Sequence, residues 1–219
     1  MARKTGMPEI LVSVREAGGS WFAVAYHDGE LVATSTGDGR GDALDAVRRC
    51  LCGDAAWRIS QEGTPFLEDT VRMLAEIREG REENKHFRLS DSHVPEPLRR
   101  ILYAAAAIPP GWVSTYGAVA AAAGTVARAV GRAMATNRLY PIVACHRVVG
   151  SDLSLVGYGG RQDRAALLSK LSRLKAEARG YLAEKTPEKP APRLFPVERV
   201  LARAARDGLD GPREPSLFD

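Results

Sequence analysis

A chain of 219 residues with 45% hydrophobic and 26% charged side chains has room for one large or two small domains, each able to bury a core. The net charge of +4 permits nucleic-acid binding without demanding it, and three cysteines make no disulfide framework. No apolar run reaches membrane-spanning length and Met1-Ala2-Arg3-Lys4 leads into no signal-peptide core, so a soluble, cytoplasmic protein without a membrane partner is expected.

Residues 10–15 and 21–26 have strand-like content, and the Asp28-Gly29 turn signal leads into a third strand at 31–34. These predict a small antiparallel sheet. Asp42 is placed to cap a helix running to about Cys52, with Gly53 stopping it; Cys50 then reads as a small hydrophobe. A second helix is predicted from Thr64 as N-cap and Pro65 at the first helical position. Its mostly apolar stripe runs Phe66, Thr70, Met73, Leu74, Ile77 and ends at Gly80. Residues 86–89 are expected as one more short strand, and His27, His86 and His93 as isolated surface histidines.

Residues 90–97 carry two prolines among polar side chains and suit an interdomain linker, followed by an alanine-rich helix over 98–108. Ser114 or Thr115 then caps a helix through Ala123, Gly124 ends it, and Thr125 caps another reaching about Thr136. Two short helices joined through a glycine fit either a helix-turn-helix or an ordinary helical hairpin. Composition tilts the choice towards the first. Ala127, Ala129, Gly131, Ala133 and Ala135 are small, so the backbone can approach another surface closely, and only Arg128 and Arg132 project far from it. Such a helix, offering its positive dipole end, suits a DNA groove.

The chain then enters Pro141-Ile142-Val143-Ala144-Cys145-His146-Arg147-Val148-Val149. A thiol beside an imidazole can be activated as a nucleophile, although a lone Cys-His pair is more often a packed core thiol. Gly157-Tyr158-Gly159-Gly160 is too short for a phosphate loop and suits a wall beside a flat ligand. Asp163 caps a final helix with Leu167, Leu168, Leu171 and Leu174 on its core face. Residues 186–196 hold four prolines and read as a linker, residues 196–205 as one short amphipathic helix, and Leu217-Phe218 as a possible docking point.

The order of these features resembles the O6-alkylguanine-DNA alkyltransferases. The resemblance runs from about residue 63 to 168, and its most specific part is Cys145-His146-Arg147-Val148-Val149 with Ala127-Arg128-Ala129-Val130-Gly131 and Asn137 at the expected distances. It implies an α+β fold. Residues 1–90 would form a small antiparallel sheet with helices in a ribonuclease H-like layout. Residues 91–180 would form a mostly helical DNA-binding and active-site domain with a helix-turn-helix, and 181–219 a proline-containing linker and extension.

Functionally, the resemblance implies a DNA repair protein that flips O6-alkylguanine, chiefly O6-methylguanine, from double-stranded DNA and moves the alkyl group irreversibly to Cys145, as a monomer with neither cofactor nor metal. His146 would act as base through a water, and Tyr116 would rotate the phosphate and lend a proton to the leaving purine. Arg128 would fill the gap in the base stack, with Ala127, Ala129, Gly131 and Ser151 also on the DNA side. Asn137 would brace the turn, the carbonyls of Cys145 and Val148 would read the guanine amino group, and the Tyr158-Gly159 backbone would donate to O6. Arg147 would pin the fold through an ion pair. A lesion-binding protein of the same fold that accepts no alkyl group is the alternative, and a plain helix-turn-helix regulator a more distant one.

Three positions depart from the family pattern. Ala144 replaces a proline, and the glycine loop is one residue short. The family also places a histidine-orienting glutamate a few residues after a Leu-Leu pair. Counted from Leu167-Leu168, that position is Leu171 or Ser172, and Glu177 lies nearly two turns further on. On that count Glu177 is expected to be too far away, with Asp163 or Glu198 as substitutes.

Overall fold

The computed structural model describes residues 8–51, 56–81, 86–187 and 191–209. It is a mixed α+β structure with small sheets and seven helices among the described residues. Strands β1 (Ile10–Ala17), β2 (Ser20–His27) and β3 (Glu30–Gly37) form an antiparallel meander. A fourth strand, β4 (Trp57–Ile59), lies parallel to β1, so the sheet is mixed, in the order β3-β2-β1-β4. The expected strand at 86–89 is reduced to a single bridge, Leu31 to Leu89.

Alternation along β2 divides the core. Ala23 and Ala25 face α1 (Arg40–Cys50), against Ala43 and Val47. Phe22, Val24 and Tyr26 face the other way, against Leu67, Val71 and Leu74 of α2 (Pro65–Arg78). Thr64 caps α2 as expected, its hydroxyl accepting from Leu67 N–H at 3.2 Å. The cap of α1 is Gly39, with Asp42 in the first turn rather than at its start. Cys52 and Gly53 lie outside the described residues. His93 is not a surface histidine: it is buried, with Nδ1 3.1 Å from Ser90 Oγ and Nε2 2.7 Å from Pro8 O.

The core continues without a break through α3 (Glu96–Ala106), α4 (Tyr116–Ala123) and α5 (Ala127–Thr136) to Cys145. The edge of β3 reaches across to the lead-in of the Cys-His stretch. Thr34 N–H donates to Arg138 O at 2.8 Å, and Thr34 Oγ1 to Tyr140 O at 3.0 Å. Arg138 Nη2 donates back to Cys50 O. Thr34 is buried, so Thr34→Val leaves a carbonyl short of a donor. We expect a loss of about 1–2 kcal/mol, read from the urea midpoint.

A second sheet, ordered β6-β5-β7, joins β5 (Trp112–Thr115), β6 (Val148–Val149) and β7 (Phe195–Pro196). Behind it pack α6 (Arg164–Ala176) and α7 (Val197–Arg206). Val197, Val200 and Ala204 of α7 meet Val113, Val149, Leu155, Leu171 and Leu174. Leu168 is largely exposed, and the core face of α6 is instead Ala166, Lys170, Leu171 and Leu174. Leu217-Phe218 lies outside the described residues. No helix among the described residues is long and apolar enough to cross a membrane.

Candidate active site

Thr115 caps α4 through its hydroxyl, which accepts from Ala118 N–H at 3.1 Å. Gly124 ends α4 at φ +64, a conformation that favours glycine, and the chain re-enters a helix three residues later, at Ala127. The N-cap of α5 is Val126, exposed and without a side-chain cap, so Thr125 sits one residue early. α5 ends at Asn137 (φ +20), whose Nδ2 donates to Val143 O at 2.8 Å. That bond closes the turn leading to a buried 3-10 turn, Cys145–Arg147.

Cys145 lies in a cleft of about 580 Å³. One wall is α5, contributing Ala127, Arg128, Gly131, Arg132 and Ala135, with Tyr116 beside it. The opposite wall is the loop from Val156 to Gln162. Tyr158 and Arg161 exchange backbone hydrogen bonds at 2.8 and 3.0 Å around Gly159 (φ +57) and Gly160 (φ +77), a tight turn that two glycines adopt without strain. Gly157 is required sterically, since a Cβ there would stand 2.7 Å from Arg161 O. Val156 carries real strain, a β-branched residue at φ +61 that costs about 1–2 kcal/mol.

The structure therefore gathers Tyr116, Ala127, Arg128, Gly131, Cys145, Tyr158 and Gly159 around one cleft. Ala129 packs against the core, Asn137 and Val148 lie behind the cleft floor, and Ser151 is exposed on the loop after β6. His146 points to the far side of the 3-10 turn and lines a second cleft.

There the expectation about Glu177 is overturned. His146 Nε2 is 2.7 Å from Glu177 Oε1, so the carboxylate is within reach and no substitute is needed. Asp163 instead caps α6, accepting from Ala166 N–H, and Glu198 accepts from Arg179 N–H beyond its end. Arg147, buried, donates from Nη2 to Glu177 Oε1 and from Nε to Oε2, at 2.7 and 2.8 Å, and from Nη1 to Ile108 O at 2.9 Å. Burial alone would raise the Glu177 pKa, but the His146 and Arg147 hydrogen bonds hold it down at about 2. Burial, helped by the Arg147 and Arg173 charges, lowers the His146 pKa against the opposing pull of Glu177. With Glu177 ionised and accepting from Nε2–H, neutral His146 carries its lone pair on Nδ1, which makes no hydrogen bond among the described residues. Burial raises the Cys145 pKa, opposed by the Asn137 side chain and by the charges of Lys170 and Arg173.

Lys170 was not foreseen. Its buried ammonium donates to Val148 O, Leu155 O and Gly157 O at 2.7, 2.8 and 3.0 Å, tying the cleft floor to its wall. Burial pulls its pKa down to about 8. Because that value lies below the unfolded one, the folded state disfavours the charged form, and this contribution improves as pH rises from about 8 to about 10.5. Lys170→Met is expected to remove that rise from the pH dependence of Tm. It should also cost about 3 kcal/mol at pH 7 through the three abandoned carbonyls.

A buried thiol at the floor of an apolar cleft, with an imidazole–carboxylate pair behind it and a small-residue helix at its mouth, is an arrangement in which a cysteine can serve as a nucleophile. Comparison with known proteins agrees. The family described as 6-O-methylguanine DNA methyltransferase, DNA binding domain, matches residues 97–179. The methylated-DNA–protein-cysteine methyltransferase of Pyrobaculum aerophilum is 46% identical over 78 residues, 35% of this chain and 52% of that protein. The constitutive enzyme of Bacillus subtilis is 36% identical over 115 residues, 51% of this chain and 68% of that one. The chain thus spans about half the length of the first of these relatives and two thirds of the second. Among solved structures, Mycobacterium tuberculosis OGT in complex with DNA superposes with a TM-score of 0.53 at 23% identity, over 76% of this chain and 92% of that one. The M. tuberculosis O6-methylguanine methyltransferase gives 0.50 at 21%, over 78% and 96%, so the fold is shared. The chain belongs to the O6-methylguanine-DNA methyltransferase family.

Proposed function

We propose that this protein repairs O6-alkylguanine in duplex DNA by transferring the alkyl group to Cys145, once per molecule. The observation that carries the reading is the 2.7 Å contact of Glu177 with His146, immediately behind a thiol that lines the cleft. The relatives' names, methylated-DNA–protein-cysteine methyltransferase, support the same chemistry.

In this reading α4 and α5 act as a helix-turn-helix that lays its small-residue face in the minor groove, and Ser151 meets the backbone nearby. The damaged guanine leaves the stack at a cost of a few kcal/mol, and Arg128 fills the gap. Tyr116, held protonated by burial and by its nearness to Cys145, gives its hydroxyl proton to the purine. The Cys145 proton passes by way of a water to His146 Nδ1, and the resulting imidazolium is stabilised by Glu177. The thiolate sulfur forms a bond to the alkyl carbon as the carbon–O6 bond breaks, so guanine departs and the cysteine is left as a thioether. The carbonyls of Cys145 and Val148 each already accept one hydrogen bond, from Val148 N–H and from Lys170, and each keeps a second lone pair for the guanine amino group. Tyr158 N–H is taken by Arg161 O, which leaves Gly159 N–H as the donor to O6. A ribonuclease H-like layout over residues 1–90, the active-site unit over 91–180, the extension over 181–219 and action as a cytoplasmic monomer complete the proposal.

The test follows a labelled methyl group from O6-methylguanine duplex to protein. The expected stoichiometry is one label per chain and then arrest. Repeated turnover, or tight lesion binding without label transfer, would contradict transfer. Arg128→Ala is expected to slow transfer from duplex by about tenfold or more, given the cost of extrusion, while transfer from the free base changes little. Equal losses on both substrates would remove Arg128 from base extrusion.

A further inference from the structure

The second cleft, of about 350 Å³, opens on the side of the 3-10 turn away from Cys145 and shares no lining residue with the first. Arg78, Arg147, Arg173 and Arg179 line it together with His146, and the one carboxylate among its lining residues is Glu177. Both oxygens of that carboxylate are already spent on His146 and Arg147.

The other three guanidiniums are held by uncharged partners and make no ion pair among the described residues. Arg173 lies over the rings of Tyr140 and Tyr158, at 5.6 and 5.9 Å. Arg179 Nη1 donates to Ala176 O and Ala178 O at the end of α6, and Arg78 Nη1 to Thr36 Oγ1 at 3.4 Å. Four planar cations against one committed carboxylate, in a concave site, focus a positive potential on a volume within the usual small-ligand range. Guanidinium forks match the paired oxygens of a phosphate group.

We infer that this cleft is a binding site for a small phosphate-bearing anion, distinct from the DNA-facing cleft and in contact with the catalytic histidine from behind. The site does not depend on alkyl transfer. It does bear on the cysteine, because the Arg173 charge lowers the proton affinity of both Cys145 and His146, and a bound anion would offset it. Occupancy should therefore quieten the thiol.

Calorimetric titration of the full chain with inorganic phosphate is expected to give one saturable site, weakened strongly in Arg179→Gln and in Arg78→Gln. In parallel, alkylation of the Cys145 peptide by iodoacetamide, followed by mass, should run several-fold slower in phosphate than in chloride at matched ionic strength. That ratio should fall towards one in each variant. Adenosine monophosphate binding more tightly than phosphate would assign the ligand to nucleotides, and equal binding would assign it to the phosphate group alone. Absence of saturable binding, binding undiminished in both variants, or displacement of phosphate by undamaged duplex would overturn the inference.

Discussion

Glu177→Gln is expected to cost about 3 kcal/mol or more of stability at pH 7 and to slow alkyl transfer about 10- to 100-fold. The stability loss arises from Arg147, a fully buried guanidinium whose charge Glu177 meets with both carboxylate oxygens. An amide keeps one acceptor oxygen but no charge, so Arg147 stays buried with its charge uncompensated. The same bond makes the fold acid-labile in a definite window. The Glu177 pKa is about 2 when folded, below its unfolded value of about 4.5, so its contribution is complete above about pH 4.5 and lost as pH falls towards 2. Urea midpoints should therefore place the variant well below the wild type at pH 7, with the gap narrowing below about pH 4.5 and closing near pH 2. The kinetic loss has a separate origin, since His146 would lose the anion that fixes its tautomer and stabilises its protonated form. A gap that persists at low pH would show that the carboxylate is not the group being titrated.

Truncation after Gly180 is expected to cost more stability still. Val197, Val200 and Ala204 leave the core, and the faces of Val113, Val149, Leu155, Leu171 and Leu174 become exposed. At about 1.5–2 kcal/mol for each buried valine, plus the new apolar exposure, the total reaches about 5 kcal/mol, comparable to the whole stability of many domains. The extension also finishes α6, the helix that carries Lys170 and leads into Glu177. Glu198 accepts from the backbone N–H of Arg179 and Gly180, and Arg203 reaches Asp152 at 3.3 Å in the loop after β6. The truncated chain should express poorly or melt far below the full chain, and Val200→Ala should fall about 2 kcal/mol short of wild type. A truncated chain that melts with the full one would show that the extension is not part of this core.

The elements with strong local signals are legible in the sequence. Thr64-Pro65 opening α2, Thr115 opening α4, Gly124 closing it and Asp163 opening α6 all combine a capping or breaking residue with a clear apolar period. Weaker signals slipped. Asp42 and Thr125 are good capping residues that sit within a few residues of the true caps, Gly39 and Val126, which carry no side-chain cap at all. β4 has only three residues and owes its existence to the parallel partner β1, a contact with no local signature. His93 is buried by Pro8 O and Ser90, residues that tertiary structure brings to it.

Glu177 shows where a fixed interval fails. Counting a fixed interval from Leu167-Leu168 led to Leu171 and missed the acid. The helical period carries the signal: Leu167, Lys170, Leu171 and Leu174 fall on one stripe at spacings of three and four, and Glu177 continues it at the helix C-cap, so the two charged residues along it need polar partners. Lys170 found three carbonyls and Glu177 found His146 and Arg147. A charge on the core face of an amphipathic helix was the available clue to the whole polar interior of the site.

The most direct test is the fate of one methyl group. The full chain is incubated with duplex DNA carrying a single O6-methylguanine, digested, and the peptide containing Cys145 is weighed. Our account requires one added methyl on Cys145, ordinary guanine in the recovered DNA and no adduct in Cys145→Ala. A bound lesion with Cys145 unmodified, or a methyl group on Cys50 or Cys52 instead, would contradict it.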